Sequence, residues 1–360
     1  VRTLSVRFDP RRNSFDALRL LLAGLVAVDH GAILRSGEVQ THRGTGLGDY
    51  AVDGFFVISG FLVTSSYLRL SSLARFVWHR ALRILPGFWV CLLMTALVAA
   101  PLIAVLEGKP AASVFSTAPT AVDYVVRNAS LLMRQFGIAD LLADNPTPTT
   151  LDGSLWTLFY EAVCYALVAG LGVVGVLARR RWLVLVLTGA VWALTITNAA
   201  GVTDFASLGS RLALMFLLGA LAHLYLDRLP TGPGWLLAAV LVFVVAMVWA
   251  EPYRVLGAAA FAFLLVQAAV RSPFAFHLRT DLSYGLYIYH FLVFQVLVLT
   301  PVGLLPVAPF IALGIAVSLV VAGGSWFLVE RPAMAHKGAG FVSVVERALG
   351  TARRRAAALD

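Results

Sequence analysis

Charge is scarce in this sequence and cysteine is almost absent. Asp, Glu, Lys and Arg together make up 13% of the 360 residues while 60% are hydrophobic, a balance that excludes an ordinary soluble domain. The two cysteines, Cys91 and Cys164, sit inside apolar runs and read as packing residues. Neither a disulfide framework nor a metal cluster is indicated, and no metal is expected. The apolar runs also lack a period of two, which excludes an outer-membrane barrel. No internal repeat stands out. The first apolar run is too long for a signal peptide, contains charges and lacks a small-residue cleavage site, so it reads as a retained signal-anchor.

What is present is a succession of long apolar runs, with mean hydropathy +0.85. Runs of membrane length fall near 15–34, 51–68, 84–106, 153–177, 182–199, 206–226, 234–250, 254–270, 282–299 and 308–329. The expectation is an all-α, polytopic membrane protein with about ten transmembrane helices. The formal charge of +9 is dispersed at span ends, where positive-inside bias explains it, and no nucleic-acid partner is expected. With the N-terminus inside, the inner segments hold 20 Lys and Arg residues and the outer segments 7, which places both termini in the cytoplasm. The chain thus divides into a basic N-terminus (1–14), a membrane domain (15–332) and a short basic tail (333–360), with no appended soluble domain expected. The longest outer segment is 107–152, whose Asn-Pro-Thr-Pro-Thr-Thr stretch at 145–150 reads as irregular and solvent-facing.

Against this apolar background the ionisable residues stand out, because such groups inside a span are expensive and face a cavity or a bundle interior. In the first run Arg19 and His30 are eleven residues apart, close to three helical turns, so both point the same way with His30 roughly 16 Å further along. Asp29 precedes the histidine. The second run opens Val52-Asp53-Gly54-Phe55-Phe56 and continues to Ser59-Gly60-Phe61; Gly54 and Gly60 suit close helix packing, and Asp53 at the outer mouth can be an N-cap acid or a substrate contact. Arg80 and Arg83 share one helical face at the cytoplasmic rim, either as topology-setting charges or as a phosphate clamp alongside Arg19. In the fourth run, capped by Asp152 or Ser154, residues Ser154, Glu161 and Tyr165 share a face beside Trp156, with the Glu161 carboxylate roughly 12 Å from the outer end. Ser283, Tyr287 and His290 lie close to one face of the ninth run, where the histidine is a core residue or a substrate contact. Helix termination explains Glu330-Arg331-Pro332.

Taken together, these segments resemble the membrane-bound acyltransferase 3 family from about Asp16 to Pro332. The resemblance rests on Arg19 with His30, the Asp53-to-Phe61 run, Arg80-x-x-Arg83-Ile84 with Pro86, the Ser154-Leu155-Trp156-to-Glu161 run, and Tyr284 to His290. It implies transfer of an acyl group, usually acetyl from acetyl-CoA, to hydroxyls of surface glycans, lipid-linked saccharides or small molecules, in a bacterial cytoplasmic membrane. It also implies His30 as the catalytic histidine, Glu161 as a site carboxylate, and Arg19, Arg80 and Arg83 on the acyl-CoA side. A role for Asp29 is not inherited, since many relatives have no acid there.

Chemically, a thioester-to-hydroxyl transfer needs a base and donors for the developing oxyanion. His30 suits the base or a transient acyl carrier, with Glu161 as its supporting carboxylate; Ser59, Tyr287 or backbone amides suit the oxyanion. Asp53, Ser59, Trp156, Tyr287 and His290 form the expected substrate side. Expected partners are membrane lipids, acyl-CoA and a cell-surface glycan acceptor. The rival reading is a proton-coupled transporter or flippase, in which the buried ionisable groups relay protons.

Overall fold

A computed structural model describes residues 3–10, 12–70, 72–198, 205–271 and 280–338. The chain is all-α, with a single two-residue hairpin, Thr41–His42 against Thr45–Gly46, between its first two long helices. Those are α1 (Phe15–Ser36) and α2 (Leu47–Arg69). They are followed by α3 (Leu73–Leu106), α4 (Thr157–Val173), α5 (Trp182–Asn198), α6 (Phe205–Leu224) and α7 (Pro233–Trp249). The last three are α8 (Arg254–Arg271), α9 (Ser283–Val298) and α10 (Val307–Gly338). Six of these, α1, α2, α3, α6, α8 and α10, are long and apolar enough to cross a membrane. The other four are shorter apolar helices, at the positions of the remaining expected runs. The expected tail is described only as far as Gly338, and its remainder lies outside the described residues.

Local signals account for the helix ends. Gly37 adopts a left-handed conformation (φ 75°) and its N–H closes α1 on the carbonyl of Ile33. The third helix begins well before the apolar run at residue 84 because Ser72 caps it, its side chain accepting from the Arg75 N–H at 3.4 Å. The segment carrying Arg80 and Arg83 is therefore the first turns of α3. The expected cap of α4 is not found, since Trp156 occupies the N-cap position without a side-chain bond. Asp152 is instead fully buried, accepting from the Thr95 hydroxyl at 2.6 Å and the Tyr124 hydroxyl at 2.9 Å.

Packing sorts the helices by burial. Helix α9 is buried on nearly every side from Ser283 to Gln295 and lies against α1 and α10, as expected of a helix apolar all round. By contrast α7 buries only Ala246 and exposes Trp235, Leu237, Leu241 and Trp249, a surface suited to lipid. Helices α2 and α6 touch backbone to backbone. A methyl group on Gly60 would lie 1.9 Å from the Phe216 carbonyl oxygen, and one on Gly219 would lie 2.0 Å from that of Val57. The 145–150 stretch is irregular as expected, with Pro146, Pro148 and Thr149 exposed, and it is also anchored. Asn145 is buried and donates to Gln295 Oε1 at 2.7 Å, and Gln295 Nε2 donates to the carbonyls of Thr147 (2.9 Å) and Thr150 (2.7 Å). This loop is thereby fastened to the C-terminal part of α9.

Candidate active site

Helices α1, α3 and α9 begin at one end of the bundle, and α2 and α10 finish there. Their termini deliver five cations, Arg19, Arg69, Arg80, Arg83 and Lys337, to the lining of a cavity of about 330 Å³. Two of the five are paired. Arg83 Nη2 lies 2.6 Å from Asp281 Oδ2 and Arg19 Nη1 lies 3.2 Å from the same oxygen. Burial alone pushes the Asp281 carboxyl up, but Arg83, Arg19 and the Ser283 bonds outweigh it and hold it well below the usual carboxylate range. Among the described residues no carboxylate lies within 4.0 Å of Arg69, Arg80 or Lys337. Arg80 has only a ring beneath it, with Cζ 5.6 Å from the Tyr165 centroid, and its buried Nε has no hydrogen-bond partner. This mouth has the surplus positive charge and spare donors that phosphate groups require.

Deeper in the same cavity the lining turns to hydroxyls and one carboxylate. Ser59 Oγ donates to Glu161 Oε1 at 3.0 Å, and the Tyr165 hydroxyl donates to the same oxygen. Thr157 Oγ1 and the Tyr287 hydroxyl are 2.6 Å apart. Tyr287 connects this chamber to the next feature, because its ring centroid is 6.1 Å from that of His290.

His290 and His30 form a nearly coplanar, edge-to-edge pair, their ring centroids 5.0 Å apart at an interplanar angle of 11°, with His30 Nδ1 2.7 Å from His290 Nε2. Phe291 meets the His30 ring edge-on at 5.2 Å. His290 Nδ1 in turn lies 3.0 Å from the Leu286 carbonyl one turn earlier in α9.

The structure thus brings together Arg19, Arg80, Arg83, Ser59, Glu161 and Tyr287 around one cavity, while His30 and His290 bond to each other and are not part of its lining. Four expected placements differ in the structure. The hydrogen-bond partner of His30 is His290, whereas the Glu161 carboxylate is engaged by Ser59 and Tyr165. Asp29, although adjacent to His30 in the chain, directs its carboxylate at the first turn of α2, where a methyl group on Gly48 would meet its Oδ2 at 2.6 Å. Asp53 does not line the cavity: it is fully buried, Oδ1 accepting from Arg211 Nε at 2.9 Å and Oδ2 from the Tyr253 hydroxyl at 2.8 Å and Arg254 Nε at 2.5 Å. Trp156 packs its ring against Tyr160 at 5.7 Å and does not line the cavity. Sequence reasoning missed Asp281, Arg69 and Lys337. Asp281 carried one signal, an acid two residues ahead of Ser283 at the start of an apolar run, the position from which it accepts the Ser283 N–H at 3.3 Å. Arg69 and Lys337 gave none, because their importance comes from helix ends that meet only in three dimensions.

The fold is an all-α bundle with six helices long and apolar enough to cross a membrane and a polar chamber between its helices. Residues 12–329, nearly the whole chain, match the acyltransferase domain model of the acyltransferase 3 family, and the chain belongs to that family. No curated protein and no solved structure matches the chain. The protein is a multi-pass membrane acyltransferase.

Proposed function

We propose that this enzyme moves an acyl group, acetyl in the simplest case, from cytoplasmic acyl-CoA to a hydroxyl of an extracytoplasmic glycan or lipid-linked saccharide in a bacterial cytoplasmic membrane. The observation that carries the reading is the cluster of Arg69, Arg80 and Lys337, with no carboxylate within reach among the described residues, at the mouth of a cavity whose lining includes Tyr287, the ring 6.1 Å from that of His290. Phosphates of CoA bind at the mouth, with the cations placed inside by the positive-inside count. The pantetheine arm extends past Ser59, Glu161 and Thr157, whose hydroxyl and carboxylate groups suit its amides. Arg19 and His30 are eleven residues apart on α1, roughly 16 Å along the axis, a span that an extended arm covers. The thioester is thereby delivered toward the outer half while CoA stays on the inner side.

In the transfer, His30 takes the proton of the acceptor hydroxyl as its oxygen attacks the acyl carbon. Tyr287, which lines the chamber with its ring 6.1 Å from that of His290, has a hydroxyl that suits the developing oxyanion. The test is turnover of radiolabelled acetyl-CoA by purified protein in sealed vesicles. His30→Ala should lower transfer by at least about a hundredfold while acetyl-CoA still binds. Retention of more than a small fraction of the activity removes His30 from the chemistry. Failure of acetyl-CoA and longer acyl-CoAs alike to bind or turn over removes the donor assignment.

A further inference from the structure

We infer that His290 is a positioning residue that fixes the tautomer of His30, so that the Nε2 lone pair of His30 is the one offered to the acceptor hydroxyl. The inference rests on the acyltransferase reading above and follows from three atoms in sequence. A backbone carbonyl can only accept a hydrogen bond, so His290 Nδ1, 3.0 Å from the Leu286 oxygen, carries the proton. In a neutral imidazole the other nitrogen is then an acceptor, which makes His290 Nε2 the acceptor of the 2.7 Å bond to His30. His30 Nδ1 is therefore the donor in that bond. Its proton is committed there, and in neutral His30 the lone pair must lie on Nε2.

The location supports this direction. His290 is fully buried in the most enclosed helix of the bundle, and its donor bond runs to its own helix backbone one turn earlier, so the anchor moves only if α9 moves. The two imidazoles lie nearly in one plane, 11° apart, as a bond through an in-plane lone pair requires, and the edge-on Phe291 ring packs against His30. The arrangement does what a carboxylate does for the histidine of a hydrolytic triad, namely orient the ring and accept from its far nitrogen. It does so without placing an anion among apolar helices. Asp29, the carboxylate next in sequence, is occupied at the start of α2.

The step balances as follows. The acceptor O–H proton passes to His30 Nε2 while the hydroxyl oxygen forms a bond to the acyl carbon. His30 is then an imidazolium whose Nδ1–H donates to the neutral His290. The C–S bond breaks, the electron pair leaves with the CoA sulfur, and the proton on Nε2 is handed to that sulfur. The products are the acyl ester and CoA thiol, and both histidines return to their starting state.

The experiment compares His290→Phe, His290→Gln and His30→Ala, with radiolabelled acetyl-CoA as donor in vesicles containing the host's membrane glycolipids. Phe fills the space but accepts no hydrogen bond; the Gln side chain carries a carbonyl able to accept from His30 Nδ1–H. The expected result is a kcat for His290→Phe lowered about a hundredfold with the acetyl-CoA KM unchanged, and a kcat for His290→Gln within about tenfold of wild type. Wild-type kcat in His290→Phe overturns the inference, and so does equal loss in Phe and Gln, which reports a packing role. Activity surviving in His30→Ala overturns the reading beneath it instead, and the two failures are told apart by which variant is active.

Discussion

Arginine is used in opposite ways at the two ends of this bundle. At the end where α2, α6 and α8 begin, Arg211 and Arg254 are enclosed with Asp49 and Asp53: Arg211 reaches Asp49 at 2.6 Å and Asp53 at 2.9 Å, and Arg254 reaches Asp53 at 2.5 Å. Two cations meet two carboxylates, and the Tyr253 hydroxyl completes Asp53. At the opposite end, five cations line a cavity whose carboxylates are Asp281 and Glu161, and Arg69, Arg80 and Lys337 have no acid within reach among the described residues. Burying charge in a membrane protein demands compensation. Where the protein supplies it, the cluster is a fastener between helices; at the other end Arg69 is exposed and Arg80 and Lys337 are half-buried, so their charge is left to water or to an anionic ligand. The comparison separates structural from functional arginines without reference to their sequence motifs.

The largest expected effect that tests this contrast is Asp53→Ala, which leaves Arg211 and Arg254 facing one another with a single remaining acid. Loss of about 3–5 kcal/mol of stability is expected, read as a lowered thermal midpoint in detergent. An unchanged midpoint together with lost acetyl-CoA binding would invert the comparison. Arg80→Ala comes next and should do the reverse. Acetyl-CoA binding weakens about tenfold to a hundredfold as charge-assisted bonds are lost, while stability changes by no more than about 1 kcal/mol. Calorimetric titration and a melting curve on the same sample check both halves.

The smallest effect concerns Asp281, the paired exception at the cavity end. Because its folded carboxyl is held below the ordinary 3.8, its contribution is fully present above that pH and is lost as pH falls through the lower folded value. The melting-temperature gap between wild type and Asp281→Asn should therefore stay constant from neutral pH down to about 4 and close only below it. A gap that closes near neutrality would mean that Arg19 and Arg83 do not stabilise the carboxylate.

Much of the candidate site was legible because helical spacing is a one-dimensional signal. Arg19 with His30 on one face of α1, Arg80 with Arg83 on α3, and Glu161 within α4 could be read from periodicity and from the rarity of charge in apolar runs. The same reasoning failed wherever a partner had to be chosen. Asp53, like Glu161, is an acid at the edge of an apolar run, yet one is consumed by two arginines from α6 and α8 and the other lines a cavity. Asp29 touches His30 in sequence but not in role, since consecutive residues on a helix point about 100° apart. His290 read equally well as a core or a substrate residue until its two ring nitrogens had named partners.

By itself, then, the sequence determined an all-α membrane protein, the places of its apolar helices, and which few residues were too polar to be there without a purpose. These follow from local hydropathy and a fixed helical period, which each segment expresses without knowledge of the others. The tertiary structure alone decided which arginines are paired, which acid faces the cavity, and that His30 meets a histidine rather than a carboxylate. Those outcomes depend on which helix ends converge, as when α3 and α10 bring Arg80 and Lys337 to one mouth across more than two hundred intervening residues. Close backbone contacts such as Gly60 against α6 set that convergence, and no single segment encodes it.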